Sequence, residues 1–243
     1  MQVAALGLMA AAPALADTIR VAAGPDAQER LQAALIEAKA GDMVDIGAGR
    51  FDLTDGLSLD VNGVTIRGAG PDKTILSFKG QQAAGEGLLV TSDDVVLRDF
   101  AVEDARGDGI KSKGADQIVY KNIRVEWTGG PKETNGAYGL YPVESRNVLI
   151  DGAVVKGASD AGIYVGQSRN IIVRNSTAMF NVAGIEIENS YDADVHSNLA
   201  TRNTGGILIF DLPNLPQQGG HNIRVFSNRV IANDTPNFAP KGN

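Results

Sequence analysis

A glycine followed by an aliphatic residue recurs at Gly109-Ile110, Gly139-Leu140, Gly162-Ile163, Gly184-Ile185 and Gly206-Ile207, so one segment of chain keeps restarting. A second mark runs in phase with it, a short polar residue followed by apolar-x-apolar, at Asn62, Asp94, Gln117, Asn147, Asn170, Asp192 and Asn222. The interval from glycine to polar mark is the same at 109 to 117, 139 to 147, 162 to 170 and 184 to 192, and only 206 to 222 is longer. Self-similarity at a fixed period of this length is the signature of a repeat architecture.

Within each repeat the apolar positions alternate, as in Val148-x-Ile150, Ile171-x-Val173 and Ile185-x-Ile187, which is strand periodicity. Strands this short bury nothing alone, but coils stacked about 4.8 Å apart pair each strand with its copies above and below. The reading is an all-β solenoid with internal ladders, one of Ile110, Leu140, Ile163, Ile185 and Ile207 and another of Leu97, Tyr120, Ile150, Val173 and Val195. Each buried aliphatic side chain contributes on the order of 2 kcal/mol. The recurring Asn, Asp and Gln read as corner residues that pass hydrogen bonds up the stack. The recurring glycines read as positions that are either left-handed or too closely approached for a Cβ.

Ahead of the repeats, Asp26 to Lys39 places Leu31, Ala34, Leu35 and Ala38 on one helical face. Asp26 is the expected cap, with Glu29 three residues on, and Gly41 the expected left-handed terminator. Such a helix would cover the open end of the stack. Val3 to Leu15 is a small-residue apolar run ending in Ala14-Leu15-Ala16, which reads as a secretory signal and is too short to span a bilayer. The organisation expected is therefore a signal peptide over 1–16, a strand, capping helix and first coil over 17–50, and coils over 51–243. Nothing caps the coil after Ile223-x-Val225 and Val230, so further coils are expected beyond Asn243. An exported protein, periplasmic or extracellular, follows.

The formal net charge of -7 argues against nucleic acid as a partner. The absence of cysteine excludes disulfides and thiolate metal sites. High glycine, at 29 residues, and low aromatic content, at 5%, fit frequent turns and layered small side chains.

The segment Gly41-Asp42-Met43-Val44-Asp45-Ile46-Gly47-Ala48-Gly49-Arg50-Phe51, with repeats such as Gly184-Ile185-Glu186-Ile187-Glu188-Asn189, resembles the right-handed parallel β-helix proteins. The resemblance implies a single-stranded right-handed parallel β-helix with a short N-terminal capping helix. The run Tyr138-Gly139-Leu140-Tyr141-Pro142-Val143-Glu144-Ser145 is similar to a secreted bacterial β-helix repeat family, a resemblance that supplies no reaction. It is also similar to the Tyr-Gly-x-Asp-Pro-His-Asp frame of alginate C5-epimerases, but Tyr141 and Val143 stand where that family has Asp and His. Only Glu144 remains as an acidic match, which speaks against epimerisation of that type.

A β-helix carries its chemistry on outward ladders and on interrupting loops. Lys111, Tyr141, Tyr164, Glu186 and Leu208 form one expected outward ladder, Lys113, Val143, Gly166, Glu188 and Phe210 a second, and Glu144, Gln167, Asn189 and Asp211 the following corner. Lys, Tyr and carboxylates on adjacent coils suit proton abstraction beside a uronate carboxylate, with Tyr141, Tyr164, Glu186 and Glu144 as acid-base candidates and Lys111 holding the sugar carboxylate. Two insertions, Glu126 to Ala137 and Asp211 to His221, abut the two ends of this strand. Trp127 and Lys132 in the first, with Lys113, Glu188 and Asp211, are the substrate-binding candidates, and Trp127 reads either as a stacking platform or as packing for its loop. Neither His196 nor His221 has a second ligand at motif spacing, so no metal is implied. Asp160, Glu186, Glu188 and Asp211 offer oxygens of the kind calcium takes, though no spacing demands it. Two functions stand side by side: an exported protein that binds an acidic polysaccharide and modifies it as a lyase or epimerase would, and a non-catalytic envelope scaffold that docks a partner protein.

Overall fold

The computed structural model describes residues 16–83 and 85–241. Most of the expected signal peptide lies outside them. The chain winds as a coil in which three short strands per turn alternate among three sheets, and every strand pairing is parallel to the copy one turn away. The first sheet runs from Thr18–Val21 through Met43–Ile46 and six further coils to His221–Phe226. The second runs Leu57–Leu59, Leu88–Val90, Ile110–Lys113, Leu140–Val143, Ala161–Gly166, Ala183–Glu188, Gly205–Phe210. The third runs from Gly49–Asp52 to Arg229–Ile231.

Both internal ladders form in the expected register. Ile110 lies against Leu140, Leu140 against Ile163, Ile163 against Ile185 and Ile185 against Ile207. Leu97, Tyr120, Ile150, Val173 and Val195 do the same on the first sheet. Each coil is too thin to hold a core, so the interior is the column these residues make together. At the last coil the column is uncovered, and Ile209, Val225 and Val230 are 41%, 46% and 48% exposed.

The helix spans Ala27–Glu37 and buries Ala27, Leu31, Ala34 and Leu35. It covers the end strand of the second sheet: the Gln32 amide donates to the Ser58 carbonyl at 3.0 Å and accepts from the Ser58 N–H at 2.9 Å, closing an edge that would otherwise be open. Its termini differ from expectation. Asp26 takes a left-handed backbone, φ 57°, and its side chain makes no capping bond. Gly41 is left-handed, φ 95°, but sits in the turn into the next strand beyond the C-cap Ala38.

The restart glycines are explained by crowding alone. Gly109, Gly139, Gly162, Gly184 and Gly206 are absent from the positive-φ positions, while a Cβ on Gly139 would meet a Val155 methyl and stand 2.5 Å from the Gly162 carbonyl oxygen. The left-handed corners fall to other residues. Asp94, Gln117, Asn147, Asn170, Asp192 and Asn222 all have φ between 52° and 58°, and Asn170 donates to Asn147 at 2.9 Å as Asn222 does to Asp192 at 3.0 Å. These side chains tolerate αL geometry because a short polar group bonds locally.

Candidate functional site

The outward face of the second sheet gathers an aromatic and acidic trough from five successive coils. Strand alternation points Lys111, Tyr141, Tyr164, Glu186 and Leu208 away from the core, and the register places Lys111 beside Tyr141, Tyr164 beside Glu186 and Glu186 beside Leu208. The next outward column places Val143 beside Gly166, Gly166 beside Glu188 and Glu188 beside Phe210. Tyr138, just before its strand, completes a triad whose ring centroids are 4.6 Å from Tyr141 and 4.4 Å from Tyr164, with Tyr141 and Tyr164 5.1 Å apart. Ala161, Ala183, Leu208 and Phe210 pack with these rings into a small apolar cluster outside the barrel.

Two glutamates are enclosed by that cluster. Glu186 is 7% exposed, and burial, reinforced by the neighbouring Asp160 and Glu188 carboxylates, pushes its carboxyl up to about 7. Glu188 is 2% exposed and also raised by burial, against the hydrogen bond that its Oε2 accepts from the Tyr164 hydroxyl at 2.8 Å. Its Oε1 is buried without a partner. Burial raises Asp160 too, with a Tyr138 hydrogen bond acting the other way. At the other end of the trough burial lifts Asp108 to about 6, offset by Lys111 and reinforced by Glu86. The tyrosines are pushed away from ionisation: Tyr141 rises to about 12, and Tyr138 and Tyr164 rise further, burial being the leading cause in each. They are hydrogen-bond donors and stacking surfaces at neutral pH.

Lys111 is held by the protein's own carboxylates. Its Nζ is 3.1 Å from Glu86 and 3.8 Å from Asp108, and sits 5.0 Å from the Tyr141 centroid. Lys113 ends the same strand and is exposed. Glu144 is exposed at the corner in a left-handed conformation, φ 53°. Asp211 accepts from the Gly220 N–H at 2.8 Å, which ties the base of the second insertion, and its charge helps to raise Glu188. That insertion folds over the corner, where Gln217 donates to the Ser168 and Asn189 carbonyls and lines a crevice of about 560 Å3 with Arg146, Arg169 and Tyr191.

Trp127 and Lys132 are not in the trough. Trp127 follows the third-sheet strand Arg124–Glu126, is 5% exposed within the core, and its Nε1 donates to the Ala105 carbonyl at 2.7 Å. So deep a burial favours the packing alternative, and the edge of the ring that remains borders the crevice of Lys132. Lys132 lies over a separate crevice of about 430 Å3 with Lys79 and Arg106. Conversely, Asp108, Tyr138 and Glu86 were missed as site residues. Each of them immediately precedes the glycine of its coil, at Gly109, Gly139 and Gly87, so the column one place before that mark was the available signal. A further crevice, about 760 Å3, is on the outward face of the first sheet beside Leu149 and Ile172, where Asp194 is paired with Arg224 at 2.6 Å and held low. Among the described residues no group of three or more His, Cys, Asp or Glu is arranged to hold a metal ion, and no helix is long and apolar enough to cross a membrane.

The family model described as right handed beta helix region matches residues 58–215 of the 243. The chain belongs to this β-helix family. Among curated proteins no sequence match is found. Solved β-helix structures superpose along most of the chain: pectate lyase Pel9A with TM-score 0.59 at 13% identity, over 94% of this chain and 82% of that one. An alginate lyase from a Paenibacillus species gives 0.56 at 15%, over 88% and 95%. The catalytic domain of an α-1,3-glucanase gives 0.51 at 16%, over 90% of this chain and 42% of that one. At such identities the likeness is one of fold, and it fixes the architecture as a right-handed parallel β-helix.

Proposed function

We propose that this is an exported glycan-modifying protein whose substrate lies along the second-sheet trough. The observation that carries the reading is Glu186: a carboxyl enclosed by Tyr164, Leu208 and the tyrosine cluster, with its proton affinity raised to about 7. A carboxyl whose proton affinity is matched to neutral pH suits general-acid transfer to a glycosidic oxygen, and desolvation by an apolar wall is the means. Glu188 on the same strand and Asp160 on the adjacent coil are the carboxyls from which a second, basic partner is drawn, as cleavage by acid and base requires. The triad of Tyr138, Tyr141 and Tyr164 offers hydroxyl donors and flat faces for sugar C–H groups. The assignment shifts proton transfer from the tyrosines to the carboxyls, because phenols this far from ionisation are poor acids and bases. It also turns from lyase or epimerase chemistry towards hydrolysis, since Lys111, the expected stabiliser of a uronate enolate, is neutralised by Glu86 and Asp108. The names of the structural neighbours, two lyases of polysaccharides and a glucanase, agree with a glycan. The export reading rests on the apolar run before Asp17.

The test is incubation with a panel of neutral, amino and uronate polysaccharides, with reducing ends and product masses measured for wild type and Glu186→Gln. Product from wild type and a rate about 100-fold lower or more in the variant are expected. Undiminished product formation by Glu186→Gln, or no binding and no product with any member of the panel, contradicts the proposal.

A further inference from the structure

Resting on that reading of the trough, we infer that its glycan carries free amines, a hexosamine polymer, and that polyuronates are refused. The first observation is the charge inventory. Glu86, Asp108, Asp160, Glu186, Glu188 and Asp211 converge on the trough or its rim, and four of them are held above their ordinary range by burial, with neighbouring carboxylates adding to the rise of Asp108, Glu186 and Glu188. The bases expected to receive a uronate do not answer them. Lys111 is paired with Glu86 and Asp108, and Lys132 stands over another crevice, which leaves exposed Lys113 at the strand end. A further carboxylate brought here meets like charge in a poorly hydrated place, whereas an ammonium relieves repulsion already present.

The second observation is independent of the charge. Glu188 is 2% exposed, one oxygen takes the Tyr164 hydroxyl, and the other is buried with no donor. Its side chain leans over Gly166 towards the tyrosines: a Cβ on Gly166 would stand 2.9 Å from Glu188 Oε2 and 2.8 Å from a Tyr164 ring carbon. An unpaired buried acceptor is costly, and a ligand that brings N–H donors removes the cost. The third observation is the tyrosine triad, whose faces attract an ammonium as well as stack with a sugar; Lys111 already lies over one of them at 5.0 Å from the Tyr141 centroid. A sugar ring with an equatorial amine unites the apolar face, the N–H donors and the positive charge that these three features call for.

Calorimetry on the full chain tests this with four probes: glucosamine oligosaccharides, the same oligosaccharides N-acetylated, galacturonate oligosaccharides, and polylysine. The expected result is glucosamine binding about tenfold tighter than the acetylated form, no measurable uronate binding, and loss of the amine preference in Glu188→Gln, a near-isosteric change that keeps the Tyr164 contact. A thermal melt of Glu188→Gln like that of wild type confirms that the loss is local. Should the variant unfold, the acetylated and free-amine sugars still decide the matter on wild type. Equal affinity for both, tighter binding of the uronate, or polylysine bound as tightly as the amino sugar overturns the inference and leaves a glycan site of another class in place. Absence of binding to every sugar overturns the glycan reading with it.

Discussion

Glu186 and Asp194 both project outward from neighbouring strands of one coil, yet their carboxyls are driven in opposite directions. Asp194 bonds to the Arg224 guanidinium and is held low, while Glu186 is walled by Tyr164 and Leu208 and pushed up to about 7. The difference comes from the occupant of the adjacent coil and not from the residue itself, which is why an outward position alone says little about chemistry. Trp127 makes the complementary point. It lies on an insertion, where an exposed platform is easy to imagine, but its indole is buried and bonded to Ala105. Trp127→Phe removes that donor and leaves the carbonyl unpaired beside a void, so a loss of about 2 kcal/mol is expected, seen as a melting temperature some 4–8 °C lower. Glycan binding should be unchanged in that variant. Sequence placed Lys111, Tyr141, Tyr164, Glu186 and Glu188 on the correct face because strand alternation decides direction, and it left Trp127 open because loop packing has no such period.

At the scale of the strand and the corner, equivalent positions are governed by what lies one coil away. The restart glycines sit where successive backbones and inward methyls approach too closely for a Cβ, as Gly139 shows against Val155 and Gly162. Gly139→Ala is therefore expected to destabilise by about 3 kcal/mol through overpacking, measured by urea unfolding, and a near-neutral result would show that the coils slide apart at little cost. The same logic builds the buried amide columns: Asn181 donates to Asn203 at 3.1 Å and Asn203 to Asn233 at 2.9 Å, and Asn198 donates to Asn228 at 3.1 Å. Inside a dry column each amide is satisfied by its copies and by the backbone around it, Asn181, Asn198 and Asn203 donating also to the Val155, Val173 and Ala178 carbonyls. The exposed polar column at Asn147 and Asn170 was legible because it marks every coil. The buried columns begin late in the chain and so escaped a search for a mark common to all coils. The aromatic triad escaped in the same way, since Tyr138 belongs to the column before the glycine and, with Tyr141 of its own coil, meets Tyr164 only when the coils are stacked.

For the molecule as a whole, stacking is what converts a sequence without any catalytic motif into a face with coupled carboxyls. The period fixed the coil and the alternation fixed the faces, so the architecture was readable; burial on the outer surface was not, because it arises when Leu208 and Phe210 of one coil and the tyrosines of two others close over Glu186 and Glu188. This closure has a thermodynamic signature. A carboxyl raised from 4.5 to about 7 in the folded state favours folding only while protonated, so its effect is neutral below the unfolded value and grows unfavourable as pH rises towards the folded one. The most direct test is the free energy of unfolding of wild type and Glu186→Gln followed by denaturant from pH 4 to pH 8. The account expects the two curves to meet at the acid end and to part by about 3 kcal/mol at pH 8, with Glu186→Gln the more stable. Parallel curves, or a variant less stable than wild type at pH 8, would show that Glu186 is ionised and solvated and that the trough is an ordinary wet surface.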